Sequence, residues 1–151
     1  MRIGVLSDTH AYSGSELPRA IIKPLSEVDL IIHTGDFVGI EVLNYLKQQG
    51  EVKAVQGNMD TAEIRKVLPQ KETVIIDGRK VGIIHGSGSP WGIEQRISKE
   101  FDQVDVIIYG HSHRAQNEVI NGVLFFNPGE GRRSFGILEI GREIKGEIIK
   151  I

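Results

Sequence analysis

Seven side chains able to bind a divalent ion fall where apolar runs give way to polar residues. They are Asp8 and His10 in SDTH, Asp36 in HTGD, Asn58 in GNMD, His85 in IHGS, and His111 and His113 in YGHSH. Together they offer carboxylate, amide and imidazole donors without sulfur, since the chain has no cysteine. That set suits borderline divalent metals such as Mn²⁺, Fe²⁺ or Zn²⁺ and carries more imidazole than Mg²⁺ prefers. Each motif alone has an ordinary meaning. Asp and Asn beside Gly form turns by bonding to nearby backbone, Asp-x-His after a strand serves as a turn or cap, and a single histidine can be a satisfied core group. Jointly they say more, because four of the five histidines occupy these strand ends. The fifth, His33, reads as a buried group or one that supports a ligand.

Elements must exist that bring such distant residues together. The runs RIGVLS, VDLIIHTGD and EVKAVQGN read as buried strands. Between them, GIEVLNYLKQQG places Ile40, Val42, Leu43 and Leu46 at helical spacing and stops at Gly50. ELPRAIIKPLSE is a poorer helix, in which Pro18 suits the first turn and Pro24 should end or kink it. Strands alternating with helices predict parallel βαβ units. The carboxyl ends of such strands open onto the crevice where ligands bind, so all five polar motifs can converge on one edge.

The second half continues with a helical segment, WGIEQRISKEF, and a strand, VDVIIYG. Hairpin signals then dominate: Asp77-Gly78, Asn121-Gly122 and an alternating run around Gly141. Two sheets' worth of strands predict a sheet sandwich flanked by helices. No linker or repeat divides the chain, and residues 1–151 read as one domain.

Composition narrows the partners. A formal charge of -2 leaves no broad basic surface for nucleic acid or anionic membrane. The opening apolar run meets Asp8 too early for a signal peptide, and nothing approaches the roughly 20 apolar residues of a membrane span. These features predict a soluble, cytoplasmic protein. HGSGSPWG has glycines before a helix, but its Gly-x-Gly-x-x-x-Gly spacing is not the dinucleotide fingerprint, and Pro90 removes a backbone donor.

The ordered series Asp8-x-His10, Gly35-Asp36, Gly57-Asn58-x-Asp60, His85-Gly86 and Gly110-His111-Ser112-His113 resembles the calcineurin-like metallophosphoesterases. More narrowly, it is similar to their small single-domain phosphodiesterases. NPGE at 127–130 matches that subgroup's Asn-Pro-Gly-Ser except at Glu130. The resemblance implies an α/β fold, a four-layer αββα sandwich of two mixed sheets flanked by helices. It implies a dinuclear centre in which Asp8, His10 and His113 hold one ion, Asn58, His85 and His111 hold the other, and Asp36 bridges them with its two oxygens. The ions would be Mn²⁺ foremost, with Fe²⁺, Zn²⁺ or Ni²⁺ as alternatives. A bridging hydroxide would attack a phosphate ester of a small molecule in line, with Asn58 and His111 beside the reacting group. A homodimer or higher homo-oligomer is also implied.

One position departs from the pattern. Many family members carry a general-acid His after the Asn of Gly-Asn, and this chain has Met59. A thioether has no proton to give, so substrates with good leaving groups are expected. Asp60 is a candidate to supply or steer that proton, or to shape the turn. Trp91 could line the pocket or pack elsewhere, and Arg132 and Arg133 could grip phosphate or lie in solvent. The competing expectation is a non-catalytic interaction scaffold of the same fold, as in a retromer subunit.

Overall fold

Side-chain alternation along the strands divides the apolar residues between two faces of each sheet, and this division produces the layers. In the computed structural model, which describes residues Met1–Ile151, the chain runs β1 (Arg2–Leu6), a 3₁₀ turn (Gly14–Glu16), α1 (Arg19–Ser26), β2 (Leu30–His33), α2 (Ile40–Gln49) and β3 (Val52–Ala54). It continues through α3 (Ala62–Val67), β4 (Lys71–Ile76), β5 (Arg79–Ile84), α4 (Ile93–Ser98) and β6 (Val106–Ile108). The last strands are β7 (Gln116–Ile120), β8 (Val123–Asn127), β9 (Ser134–Ile140) and β10 (Ile144–Lys150). Two five-stranded sheets form, in the orders β10-β9-β1-β2-β3 and β4-β5-β6-β8-β7. Both are mixed: β1, β2 and β3 run parallel, as do β5, β6 and β8, while β9, β10, β4 and β7 pair antiparallel.

Ile3, Val5, Leu30 and Ile32 of the first sheet face Val81, Ile83, Val106 and Ile108 of the second, forming the apolar layer between the sheets. The intervening Ile31 points the other way, towards Ile21, Leu25, Val42 and Leu46 of α1 and α2. On the far side, Ile93 and Ile97 of α4 cover Ile107 and Phe125. The result is the expected order of helix, sheet, sheet, helix. Each buried Ile, Val or Leu in these layers contributes roughly 1.5–3 kcal/mol, which fixes the strand ends against one another.

The hairpins form where expected. Asp77 and Gly78 have φ of 46° and 78°, and Asn121 and Gly122 have 51° and 79°, the paired positive values of a type I′ turn. α1 departs from expectation by running two residues past Pro24 before the Glu27 N–H closes onto the Pro24 carbonyl. The proline removes one helical donor near the end, so the helix stops within a turn instead of kinking. α3 was outside the sequence expectations because six residues are too few to establish a helical period. No helix is long and apolar enough to cross a membrane.

Candidate metal centre

Six strands deliver their carboxyl ends to one edge of the sandwich. β1 leads into Asp8, β2 into Asp36, β3 into Asn58, β5 into His85, β6 into His111 and His113, and β8 ends at Asn127. To aim side chains across that edge, the chain must turn sharply just after each strand. Asp8, His10, Asp36, His111 and His113 have φ of 50°, 45°, 59°, 66° and 60°, making five of the nine non-glycine residues with positive φ. Asp and His tolerate that region better than most residues but still pay for it, so it persists where surrounding structure enforces it. Here the loops are spliced together: Asp8 N–H donates to the Gly35 carbonyl at 3.0 Å, His10 N–H to Asp36 at 3.0 Å, and Gly110 N–H to His85 at 3.1 Å. Two glycines permit the close approach. A methyl at Gly57 would overlap Asp36, and one at Gly110 would overlap Ser7 and Asp8.

The polar groups then converge. His113 Nε2 lies 3.3 Å from Asp8 Oδ1, and His10 Nε2 lies 3.4 Å from Asp36 Oδ2. His85 Nε2 lies 3.3 Å from Asp36 Oδ2, 3.8 Å from Asp8 Oδ1 and 3.0 Å from Asn58 Oδ1. Two sets have ligand atoms within 4.8 Å of one another: Asp8, His10 and His113, and Asp8, Asp36 and His85.

These residues fit divalent ions on physical grounds. Asp8 is wholly buried, and its Oδ2 accepts from the Ser7 hydroxyl at 2.5 Å and from His111 N–H at 3.1 Å. Its Oδ1 has no hydrogen-bond partner at all, an expensive arrangement for a buried carboxylate unless a cation completes it. His85 Nδ1 lies 2.8 Å from the Thr34 carbonyl. A carbonyl only accepts, so Nδ1 carries the proton and the Nε2 lone pair faces the carboxylates, as a metal-binding imidazole requires. Burial works to lower the His85 pKa, but the hydrogen bond its charged ring donates to Asp36 and the charges of Asp8 and Asp36 outweigh it and raise the value. Burial also opposes the charge on Asp36, yet His85, the Met59 N–H and His10 hold it down to about 2.

Several expected roles are sharpened or redrawn. Asp36 reaches His10 and His85 with the same atom, Oδ2, rather than with one oxygen each, because Oδ1 accepts the Met59 N–H at 2.7 Å. Asp8, expected beside one ion, reaches both sets. His111 lies edge-on to His85 with ring centres 5.2 Å apart, but its Nε2 turns away to the Gly88 carbonyl at 2.8 Å. Any bond to an ion is left to Nδ1. His33 is fully buried, takes the Gly35 N–H on Nδ1 and stacks on Phe37, and burial pushes its pKa down to about 3. It is a neutral support behind the site.

Asp60 is placed to hold backbone instead of delivering a proton. Its Oδ2 accepts from Asp36 N–H at 2.9 Å and Gly57 N–H at 2.7 Å, and its Oδ1 from Val38 N–H at 2.9 Å. Asp60→Asn turns an amide donor onto one of those N–H groups, and about 1–3 kcal/mol of stability should be lost in urea titration. The shape of the pH–rate profile should survive; loss of its basic limb would mark Asp60 as a proton donor after all.

Around the site, Met59 is 59% exposed. Arg132 donates to the His10 carbonyl at 3.0 Å, so it braces a ligand loop, whereas Arg133 lies in solvent beside Glu130. Trp91 is 73% exposed, not packed in a core, with the Arg114 guanidinium 4.8 Å from its ring centre. A polar cleft of about 530 Å³ runs outward from Asn58 and His85 past Arg65, Gln70 and Lys71. The asparagine of NPGE has a role that its sequence alone does not announce. Buried Asn127 donates to the Gly110 carbonyl and the Ser112 hydroxyl, both at 3.1 Å, and so holds the loop carrying both histidines.

A family model for the calcineurin-like phosphoesterase superfamily domain matches residues 1–140. A probable metallophosphoesterase of Methanocaldococcus jannaschii is 43% identical over 133 residues, spanning 85% of this chain and 67% of the relative. A phosphodiesterase from the same organism is 29% identical over 167 residues, 99% of each chain. Among solved structures, wild-type Vps29 complexed with zinc from Entamoeba histolytica shares 26% identity with a TM-score of 0.76, covering 99% of both chains.

Proposed function

The chain belongs to the calcineurin-like phosphoesterase superfamily, a family of phosphoric ester hydrolases, and from that premise we propose a phosphodiesterase whose single domain, residues 1–151, works with two divalent ions. Asp8, His10 and His113 would hold one ion and Asn58, His85 and His111 the other, with Asp36 serving both. The observation that carries this reading is the buried Asp8 Oδ1, which has no hydrogen-bond partner and faces His113 and His85. When bound, the ions supply charge to the phosphoryl oxygens and lower the pKa of water enough to provide a nucleophile at neutral pH. The protein's residues supply orientation. Asp36 is fixed by the Met59 N–H, His85 by the Thr34 carbonyl, and Asp8 by Ser7 and His111. Manganese is the ion of choice because the donor set mixes hard oxygen with borderline nitrogen. Mn²⁺-dependent release of 4-nitrophenolate from bis(4-nitrophenyl) phosphate, lost on chelation and restored by the metal, is the test. A scaffold that binds no ion would leave Asp8 Oδ1 buried and unpaired, and the similarity to a phosphodiesterase over nearly the whole chain favours the hydrolase reading.

Met59 sets the leaving-group preference. Asp60 does not replace it, since its oxygens are occupied by backbone donors, so the substrate arm departs unassisted or takes its proton from water. General-acid help is worth roughly 10²- to 10⁴-fold. Met59→His should therefore raise turnover of an alkyl diester by about 10-fold or more while leaving the aryl diester nearly unchanged. Equal effects on both substrates would contradict the assignment.

A further inference from the structure

The turn between His85 and α4 is held by one side chain. The Arg96 guanidinium donates to the Ser87 carbonyl at 2.7 Å, to the Trp91 carbonyl at 2.9 Å and to the Ser89 carbonyl between them. Three carbonyls at alternate positions of a loop converge on one planar fork, which only arginine can supply. Gly88, the second residue of that arch, has φ of 76° and accepts His111 Nε2–H at 2.8 Å through its carbonyl. The carbonyl can only accept, so the bond fixes His111 as the Nε2–H tautomer and leaves its lone pair on Nδ1. A rotated imidazole or the opposite tautomer would turn an N–H towards the position of the ion.

We propose that Arg96 is a positioning residue for the second metal site: it fixes the arch Ser87–Trp91 so that the Gly88 carbonyl holds His111 with Nδ1 free to bind an ion. The inference rests on the reading of His111 as a ligand of that ion. It gives a reason for an arginine on the exposed side of a six-residue helix to be spent on backbone rather than on solvent or a carboxylate. It also separates the two sites. Asp8, His10 and His113 have no bond to the arch, and Asp8 meets His111 only through its backbone N–H, so loosening the arch leaves the side chains of the first site in place.

The test is manganese titration of Arg96→Ala and Arg96→Lys, with ¹⁵N imidazole spectra of the metal-free proteins. In the wild type, His111 should show the Nε2–H tautomer. Arg96→Ala should mix the tautomers and weaken the second ion by about 10- to 100-fold, the usual cost of losing a partner that orients a ligand, while the first ion binds as before. Arg96→Lys should recover only part of this, since an ammonium cannot serve three carbonyls in one plane. His111→Asn is the control. If it loses the second ion while Arg96→Ala binds both with wild-type affinity and keeps the tautomer, the inference about Arg96 fails alone. If His111→Asn itself binds both ions normally, the ligand assignment beneath it fails. Because the spectrum of the wild type is informative by itself, a Nδ1–H tautomer there would overturn the proposal even if a variant failed to fold.

Discussion

Asp36→Asn should lower the turnover of bis(4-nitrophenyl) phosphate by roughly 10³-fold or more, the scale on which removal of charge stabilisation at a reacting phosphoryl group registers. The substitution is isosteric, so packing is preserved, and its effect isolates charge and donor direction. Asp36 Oδ1 accepts the Met59 N–H at 2.7 Å, which will hold the amide oxygen of the variant in that place. The NH₂ group then takes the position of Oδ2, facing His10 and His85, where Oδ2 stood 3.4 and 3.3 Å away. A donor replaces the acceptor that faces both histidines. Metal content measured by mass spectrometry should fall from two ions to at most one per chain. Full turnover with two ions retained would exclude Asp36 from the bridge and leave Asp8, which also reaches both sets, as the shared ligand.

The candidate ligands were legible in the sequence for a specific reason. Each stands within five residues of the end of a short apolar strand, and strand ends marked by Gly, Asp or Asn are the positions where local sequence and sheet topology carry the same information. The partners that fix those ligands were harder to see. Asn127 holds Gly110 from 17 residues away, and Asp60 binds the N–H of Asp36 from 24 residues away. Both use ordinary turn chemistry, whose target depends on where a distant loop passes. Arg96 illustrates the limit most clearly, because an arginine on a short helix looks like a solvated charge until three carbonyls of the preceding loop are placed beneath it. The choice of Asp36 Oδ2 over Oδ1 likewise follows from one N–H, on Met59, that no residue pattern announces. The fold was easier, since alternation in Ile31 and its neighbours assigns inner and outer faces locally, and both Asx-Gly turns pin their registers.

Asp8→Asn should separate function from stability. In chelated wild-type protein the Asp8 carboxylate is fully buried, and Oδ1 lacks any hydrogen bond. Asparagine can keep its oxygen on the Ser7 hydroxyl and His111 N–H while its NH₂ donates towards His113 Nε2, 3.3 Å from the present Oδ1. The unpaired charge is removed and a donor gained. The metal-free variant should therefore be more stable than metal-free wild type by about 1–3 kcal/mol, which raises Tm by about 2–4 °C per kcal/mol at this chain length. Manganese should reverse the order. An ion at 100 times its Kd stabilises the wild type by about 2.7 kcal/mol, and the variant, missing a ligand common to both sets, should gain little. His85 gives the effect a pH sign. Asp36 and Asp8 raise its pKa above the ordinary 6.5 despite burial, so its charged form stabilises the metal-free wild type below 6.5 and is lost as pH rises through the raised value. The advantage of Asp8→Asn should thus be small below 6.5 and widen as pH rises through the raised His85 pKa. Thermal unfolding of both proteins, with chelator and with manganese, checks each comparison, and a metal-free variant less stable than wild type at the higher pH would show that Oδ1 is satisfied without an ion.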